Sequence, residues 1–155
     1  MSIVSLFLVC LLLPFASRAT APKFADVTAT SGLDFHHVNG AAGKKFVIET
    51  VGAGAGFFDF DGDNLLDIYL VNGAATPGMD YATPPRNALY RNEGNGTFSD
   101  VTESSGAGDD GYGMGMAVGD YDNDGDLDLY LGNFGANVLY QNEGNGTFSD
   151  VTKRS

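Results

Sequence analysis

The 155-residue sequence has no tryptophan, a single cysteine at position 10, and 8 Lys or Arg against 20 Asp or Glu. A net charge of −12 repels phosphate backbones and argues against nucleic acid as a partner. One cysteine cannot build a disulfide framework. Glutamate is scarce too: 16 of the 20 acids are Asp, whereas a solvated helical surface would favour Glu, the better helix former. No long stretch carries the 3.6-residue period of an amphipathic helix. What remains, 22 Gly and 43% hydrophobic residues, is the composition of a turn-rich, mostly β chain. Its surplus of aspartate needs a cause of its own.

The longest apolar run, Ile3 to Ala16, is roughly 14 residues long and falls short of the ~20 that a spanning helix needs. It ends in Pro14 and small residues, and Ser17-x-Ala19 satisfies the small-x-small rule for cleavage after Ala19. Residues 1–19 therefore read as a secretory signal peptide, and residues 20–155 as an exported, extracellular chain. Cleavage would remove Cys10 and Arg18, leaving a thiol-free chain of charge −13 with no membrane contact.

Internal repeats organise the rest. Asn87 to Ser105 returns as Asn137 to Ser155 at an offset of 50, and Phe24-Ala25-Asp26-Val27-Thr28 makes a third copy of Phe-x-Asp-Val-Thr. An Asp-rich block, Asp59-Phe-Asp61-Gly-Asp63-Asn-Leu-Leu-Asp67, returns as Asp120-Tyr-Asp122-Asn-Asp124-Gly-Asp126-Leu-Asp128 at an offset of 61. The extra residues of the first unit lie in the Pro-rich stretch Ala74 to Arg86, which reads as an inserted surface loop. Alternation in Asp67-Ile-Tyr-Leu-Val and Asp128-Leu-Tyr-Leu predicts strands. Asn95-Gly96 and Asn145-Gly146 predict tight hairpins with the Asn-Gly pair at positive φ. Both are also Asn-Gly-Thr sequons that permit glycosylation. The Gly-rich stretches 52–56 and 111–117 suit strands packed against other backbones.

Each Asp block sets four carboxylates at loop positions 1, 3, 5 and 9. At about 4 Å apart, each like-charged pair costs about 4 kcal/mol at an effective dielectric near 20, so such a loop needs a cation. All-oxygen donors favour Ca²⁺ or Mg²⁺ over zinc, and the number of donors suits the looser shell of Ca²⁺. Gly125 at position 6 permits the sharp turn, and Asn64 there is the non-glycine residue that best tolerates positive φ. An EF-hand is disfavoured because position 12 is Leu70 or Leu131 instead of Glu, and both loops run into β-patterned strands instead of helices.

These loops resemble those of the FG-GAP or VCBS repeat β-propellers, whose blades carry Asp-x-Asp-x-Asp-Gly-x-x-Asp calcium loops. The wider pattern is Phe-x-Asp-Val-Thr, Gly32-Leu-Asp-Phe-His-His-Val-Asn-Gly40, Glu49, then Phe58-Asp-Phe-Asp-Gly-Asp and Asp67-Ile-Tyr-Leu-Val-Asn-Gly73. It is similar to secreted proteins of the cartilage acidic protein family. The resemblance implies an all-β partial propeller of two blades and the start of a third. It also implies two Ca²⁺ sites, ligated by side chains of Asp59, Asp61, Asp63 and Asp67 and of Asp120, Asp122, Asp124 and Asp128, with backbone carbonyls from Leu65 and Asp126. Integrin-like adhesion or recognition of an extracellular protein or glycan ligand is the implied role, with the remaining blades of a longer chain as further partners. Because such propellers close with more blades, two units alone are expected to leave both outer faces open and to be poorly stable or to self-associate.

The alternative is a secreted hydrolase-type or metal-dependent enzyme built on the propeller, with His36, His37, Asp34 and Glu49 as its site. Their spacing matches no catalytic signature, and neighbouring histidines on a strand point to opposite faces. A non-enzyme is the expectation.

Overall fold

The computed structural model describes residues 21–44 and 46–154; the expected signal peptide, residues 1–19, lies outside them. Strands β1 (Ala55–Phe58), β2 (Asp67–Leu70), β3 (Ala88–Asn92) and β4 (Phe98–Asp100) form one antiparallel sheet in chain order. Strands β5 (Gly113–Gly119), β6 (Asp128–Asn133), β7 (Val138–Asn142) and β8 (Phe148–Asp150) form a second. The repeat fixes the register: Tyr69 pairs Leu89 in the first sheet as Tyr130 pairs Leu139 in the second. Each sheet is one blade, and the two do not close a ring, as an all-β partial propeller requires.

Phe-x-Asp-Val-Thr does the same work three times. The Asp carboxylate accepts the N–H of the Thr two residues on, at 3.0 Å for Asp26, 2.9 Å for Asp100 and 2.9 Å for Asp150. This turns the chain into α1 (Thr28–Ser31), α2 (Thr102–Ser105) and a 3-10 turn at Thr152–Arg154. Gly32 and Gly106, at φ 79° and 73°, end the two helical turns. The motif therefore closes one unit and starts the next. Its third copy supplies the last strand of the second sheet, and the turn after it is where a further unit would begin.

The main core lies between the sheets. Phe58, Tyr69, Val71 and Leu89 of the first meet Leu129, Leu131, Tyr140 and Phe148 of the second, with Phe60 and Ala107 between them. The Gly-rich stretches lie where the sequence placed them, with backbones in close approach. A Cβ on Gly54 would sit 3.0 Å from the Gly115 Cα, and one on Gly113 would sit 2.2 Å from Val71 Cγ1. The expectation of two open outer faces is corrected in part. Leu33 and Phe35, from the segment after α1, pack over Ile68, Ala88 and Tyr90 and cover the β2–β3 part of the first sheet's outer face, while Phe57 of β1 in the same row stays 67% exposed.

The hairpin expectation is corrected as well. The β3–β4 turn spans residues 93–97, closed by the Glu93 N–H donating to the Thr97 carbonyl at 3.0 Å. Positive φ falls on Gly94 and Gly96, 74° and 86°, and not on Asn95. The Asn95 Oδ1 instead accepts from the Thr97 N–H at 2.9 Å and its hydroxyl at 2.6 Å. Asn145 and Thr147 repeat the arrangement in the second unit. The side chain makes the turn locally and leaves the left-handed positions to glycine.

Candidate metal centre

Both Asp loops connect the first two strands of a sheet, so their ends are held one hydrogen-bonded strand pair apart. The position 1 carboxylate ties the loop into a curl. Asp59 Oδ1 accepts the N–H groups of Gly62 at 2.8 Å and Asp63 at 3.1 Å, and its Oδ2 accepts that of Asn64 at 2.8 Å. Asp120 accepts the Asp124 N–H at 3.2 Å and the Gly125 N–H at 3.1 Å. Position 5 holds position 7 the same way twice: Asp63 accepts the Leu65 N–H at 2.7 Å, and Asp124 accepts that of Asp126 at 2.9 Å.

Two loop positions turn left-handed, not one. Asn64 at position 6 has φ 66° and Gly125 has φ 100°, as the sequence predicts, but position 4 also turns, with Gly62 at 78° and Asn123 at 62°. The glycine and asparagine have exchanged places between the loops. Since asparagine is the non-glycine residue best suited to this region, Asn64→Val should cost about 1–2 kcal/mol and Asn64→Gly should be close to neutral. Urea unfolding of the two variants measures the difference.

Position 9 is set apart by burial. Asp67 is 0% exposed and Asp128 1%, each at the first residue of an inner strand. Asp67 accepts the Phe60 N–H at 3.0 Å and the Asn92 N–H at 2.8 Å. Asp128 accepts the Tyr121 and Asn142 N–H groups, both at 2.8 Å. Burial pushes the Asp67 carboxyl above its usual range, opposed by the N–H groups of Asn92 and Phe60 and reinforced by Asp61 and Asp63. Asp122 is also pushed up, by loss of hydration and then by Asp124. In each loop one carboxyl is thus held above its ordinary range, chiefly by burial, with neighbouring carboxylates adding to the effect.

Of the ten residues read from the sequence, two triads come together with oxygens mutually within 4.8 Å: Asp59, Asp61 and Asp67 in the first loop, and Asp120, Asp122 and Asp124 in the second. Between them they cover positions 1, 3, 5 and 9. At position 7 the side chains lie against the next turn, Leu65 Cδ1 3.2 Å and Asp126 Oδ2 2.5 Å from where a Cβ on Gly94 or Gly144 would sit. The donors are all oxygen, with no His or Cys, and so fit a hard divalent cation such as Ca²⁺.

The sequence missed how the next unit holds the first loop. Asn142 Nδ2 donates 2.8 Å to the Phe60 carbonyl, and the Phe60 ring packs against Phe148 with centroids 6.2 Å apart. Position 2 of loop one is thus fixed from both sides, its N–H by Asp67 and its carbonyl by Asn142. The repeat offers a signal for this, since an aromatic residue stands at position 2 of both loops.

The second candidate site assembles differently from its expectation. Residues 36 and 37 lie outside any strand, and both histidines line one open cavity of about 410 Å³ with Asn39, Asn72 and Tyr81. Asp34 and Glu49 are not among its lining. The Tyr112 hydroxyl, near Glu49, donates to the Asn39 carbonyl at 2.6 Å, binding this segment to the second blade. Among the described residues no helix is long and apolar enough to cross a membrane.

Compared with known proteins, the chain matches the FG-GAP-like repeat family over residues 59–131 and 120–155. No curated protein matches it significantly. The two overlapping matches share the second Asp loop, residues 120–128.

Proposed function

The chain belongs to the FG-GAP-like repeat family, and we propose that it is a secreted, calcium-binding propeller module that serves extracellular adhesion or ligand recognition as part of a longer array of blades. The observation that carries the reading is the recurrence of an all-carboxylate triad on the same loop of both units. Asp59, Asp61, Asp63 and Asp67, with the Leu65 carbonyl, would hold one Ca²⁺; Asp120, Asp122, Asp124 and Asp128, with the Asp126 carbonyl, would hold another. The cation would supply the charge that keeps four carboxylates on one short loop. These residues in turn fix the turn between the first two strands of a blade.

Export follows from the N-terminal apolar run and its small-x-small boundary. Binding, not catalysis, is the role on this reading. Its support is that Asp34 and Glu49 do not line the cavity with His36 and His37, so the four residues do not assemble as one site. The finer similarity to cartilage acidic protein belongs to the same proposal. Much of the pattern behind it, residues 24–49, lies ahead of the matched region.

Asp61 and Asp122 are exposed and suit a test. A site with a dissociation constant of about 0.1 mM, at about 1 mM calcium, adds about 1.4 kcal/mol of stability, or roughly 5 °C in thermal midpoint. Asp61→Asn and Asp122→Asn should each remove about half of the calcium-dependent shift, and the double variant nearly all of it. Equal midpoints in calcium and in chelator for the unaltered chain would refute the reading.

A further inference from the structure

The repeat makes each Asp loop the control for the other. The two agree at positions 1, 3, 5 and 9, all Asp, and each has a Glu on the neighbouring turn, Glu93 and Glu143. They differ in charge at two places. Position 7 is Leu65 in the first loop and Asp126 in the second, so the first carries four carboxylates and the second five. The other difference stands on the third strand, whose fourth residue is Arg91 in β3 and Gln141 in β7, at matched register opposite Ser99 and Ser149. Gln141 Nε2 donates 2.7 Å to Asp122 Oδ2, at position 3 of its loop. In the first unit the corresponding residues, Arg91 and Asp61, line one groove between the units. The guanidinium donates to Glu93 Oε1 at 2.8 Å and 3.2 Å. Glu93 raises its pKa most, and Asp61 and Asp63 add to the effect. Position 3 therefore has a neutral amide beside it in loop two and a permanent positive charge in loop one.

We propose, resting on the reading of both loops as calcium sites, that the two sites are unequal and that Arg91 tunes the weaker one: loop two fills first, and Arg91 holds loop one at a lower affinity, where it responds to changes in calcium. Counting each loop with the residue beside its position 3, four carboxylates and one guanidinium leave −3, whereas five carboxylates and one amide leave −5. The affinity of an all-oxygen site follows its ligand charge count. At about 6 Å in a water-like dielectric, one unit charge changes the affinity for a divalent ion by about tenfold. Arg91 is 43% exposed, so it acts through solvent and its effect is screened by salt. The hold of Asn142 on Phe60 stiffens loop one and works in the opposite direction. That hydrogen bond joins neutral groups and is insensitive to salt, which separates the two influences.

Calcium calorimetry of the full chain at low and at physiological salt tests the inference, with Asp122→Asn reporting loop one and Asp61→Asn reporting loop two. Loop one should bind about tenfold more weakly at low salt, and the gap should narrow as salt rises. Arg91→Gln, added to Asp122→Asn, should tighten loop one about tenfold at low salt. Arg91→Lys keeps the charge but not the forked contact with Glu93, and should leave loop one weak. Gln141→Arg, added to Asp61→Asn, should weaken loop two by a similar factor. Arg86→Gln removes the same charge just before the start of β3, at the end away from the Asp loop, and should move neither site by more than about twofold. Equal affinities in the two single-loop chains, an Arg91→Gln chain that binds no more tightly, or a gap that salt does not narrow would each overturn the proposal. A folded chain that gives no calcium heat from either loop would refute calcium binding itself, and the inequality with it.

Discussion

Asp67→Ala is expected to destabilise the chain by about 2–5 kcal/mol even in chelator, with no cation present. The Asp67 carboxylate is fully buried and accepts the N–H groups of Phe60 and Asn92, one from the loop and one from the end of β3. Alanine would leave both donors without a partner, at about 1–3 kcal/mol each, offset in part by relief of the cost of burying a charge. Asp128→Ala should behave alike, for the sake of Tyr121 and Asn142. Asp61→Asn, on an exposed residue, should change stability in chelator by less than about 0.5 kcal/mol. Urea unfolding of Asp67→Ala and Asp61→Asn in chelator separates the two roles. If Asp67→Ala matched the unaltered chain there, Asp67 would be a ligand and nothing more.

Gly113→Ala should cost about 3 kcal/mol or more, toward the upper end of overpacking penalties. The new Cβ would fall 2.2 Å from Val71 Cγ1 and 2.7 Å from the Asn72 carbonyl oxygen. Strand β5 cannot simply move away, because the Gly113 N–H donates to that same carbonyl at 3.0 Å. Asn72 is itself anchored, its N–H donating to Asn87 Oδ1 at 2.6 Å and its Oδ1 accepting the Val38 N–H at 2.7 Å. Gly115→Ala, two residues along, meets nothing within 4 Å and should change stability by about 1 kcal/mol at most. Denaturant unfolding of both variants is the check. Equal stabilities would mean that the two blades are not packed as closely as the Gly113 contact requires.

Blade boundaries were legible in the sequence because they rest on local chemistry. Phe-x-Asp-Val-Thr makes its turn with its own side chain, and the strands after the Asp loops alternate with period two. The carboxylates that cluster were legible too, since a nine-residue loop brings its odd positions together wherever it sits. What escaped depends on contacts distant in the chain. The second role of Asp67 needs β3, 25 residues away, and the fixing of Phe60 needs Asn142, 82 residues away. The covering of the first sheet by Leu33 and Phe35 looks, in sequence, like an ordinary Gly-bounded loop. Asn95 misled for a different reason: Asn-Gly signals a two-residue turn, but a second glycine at 94 and the Thr97 hydroxyl let the chain make a five-residue one.

Calcium titration of the folded chain by calorimetry tests the central claim most directly. Two all-carboxylate loops predict two ions per chain, with dissociation constants in the ~0.1–1 mM range of extracellular sites. Asp61→Asn should remove one ion, Asp122→Asn the other. A sample shown to be folded by circular dichroism that gives no heat with calcium, or that keeps both ions in the double variant, would contradict the assignment of these loops as cation sites.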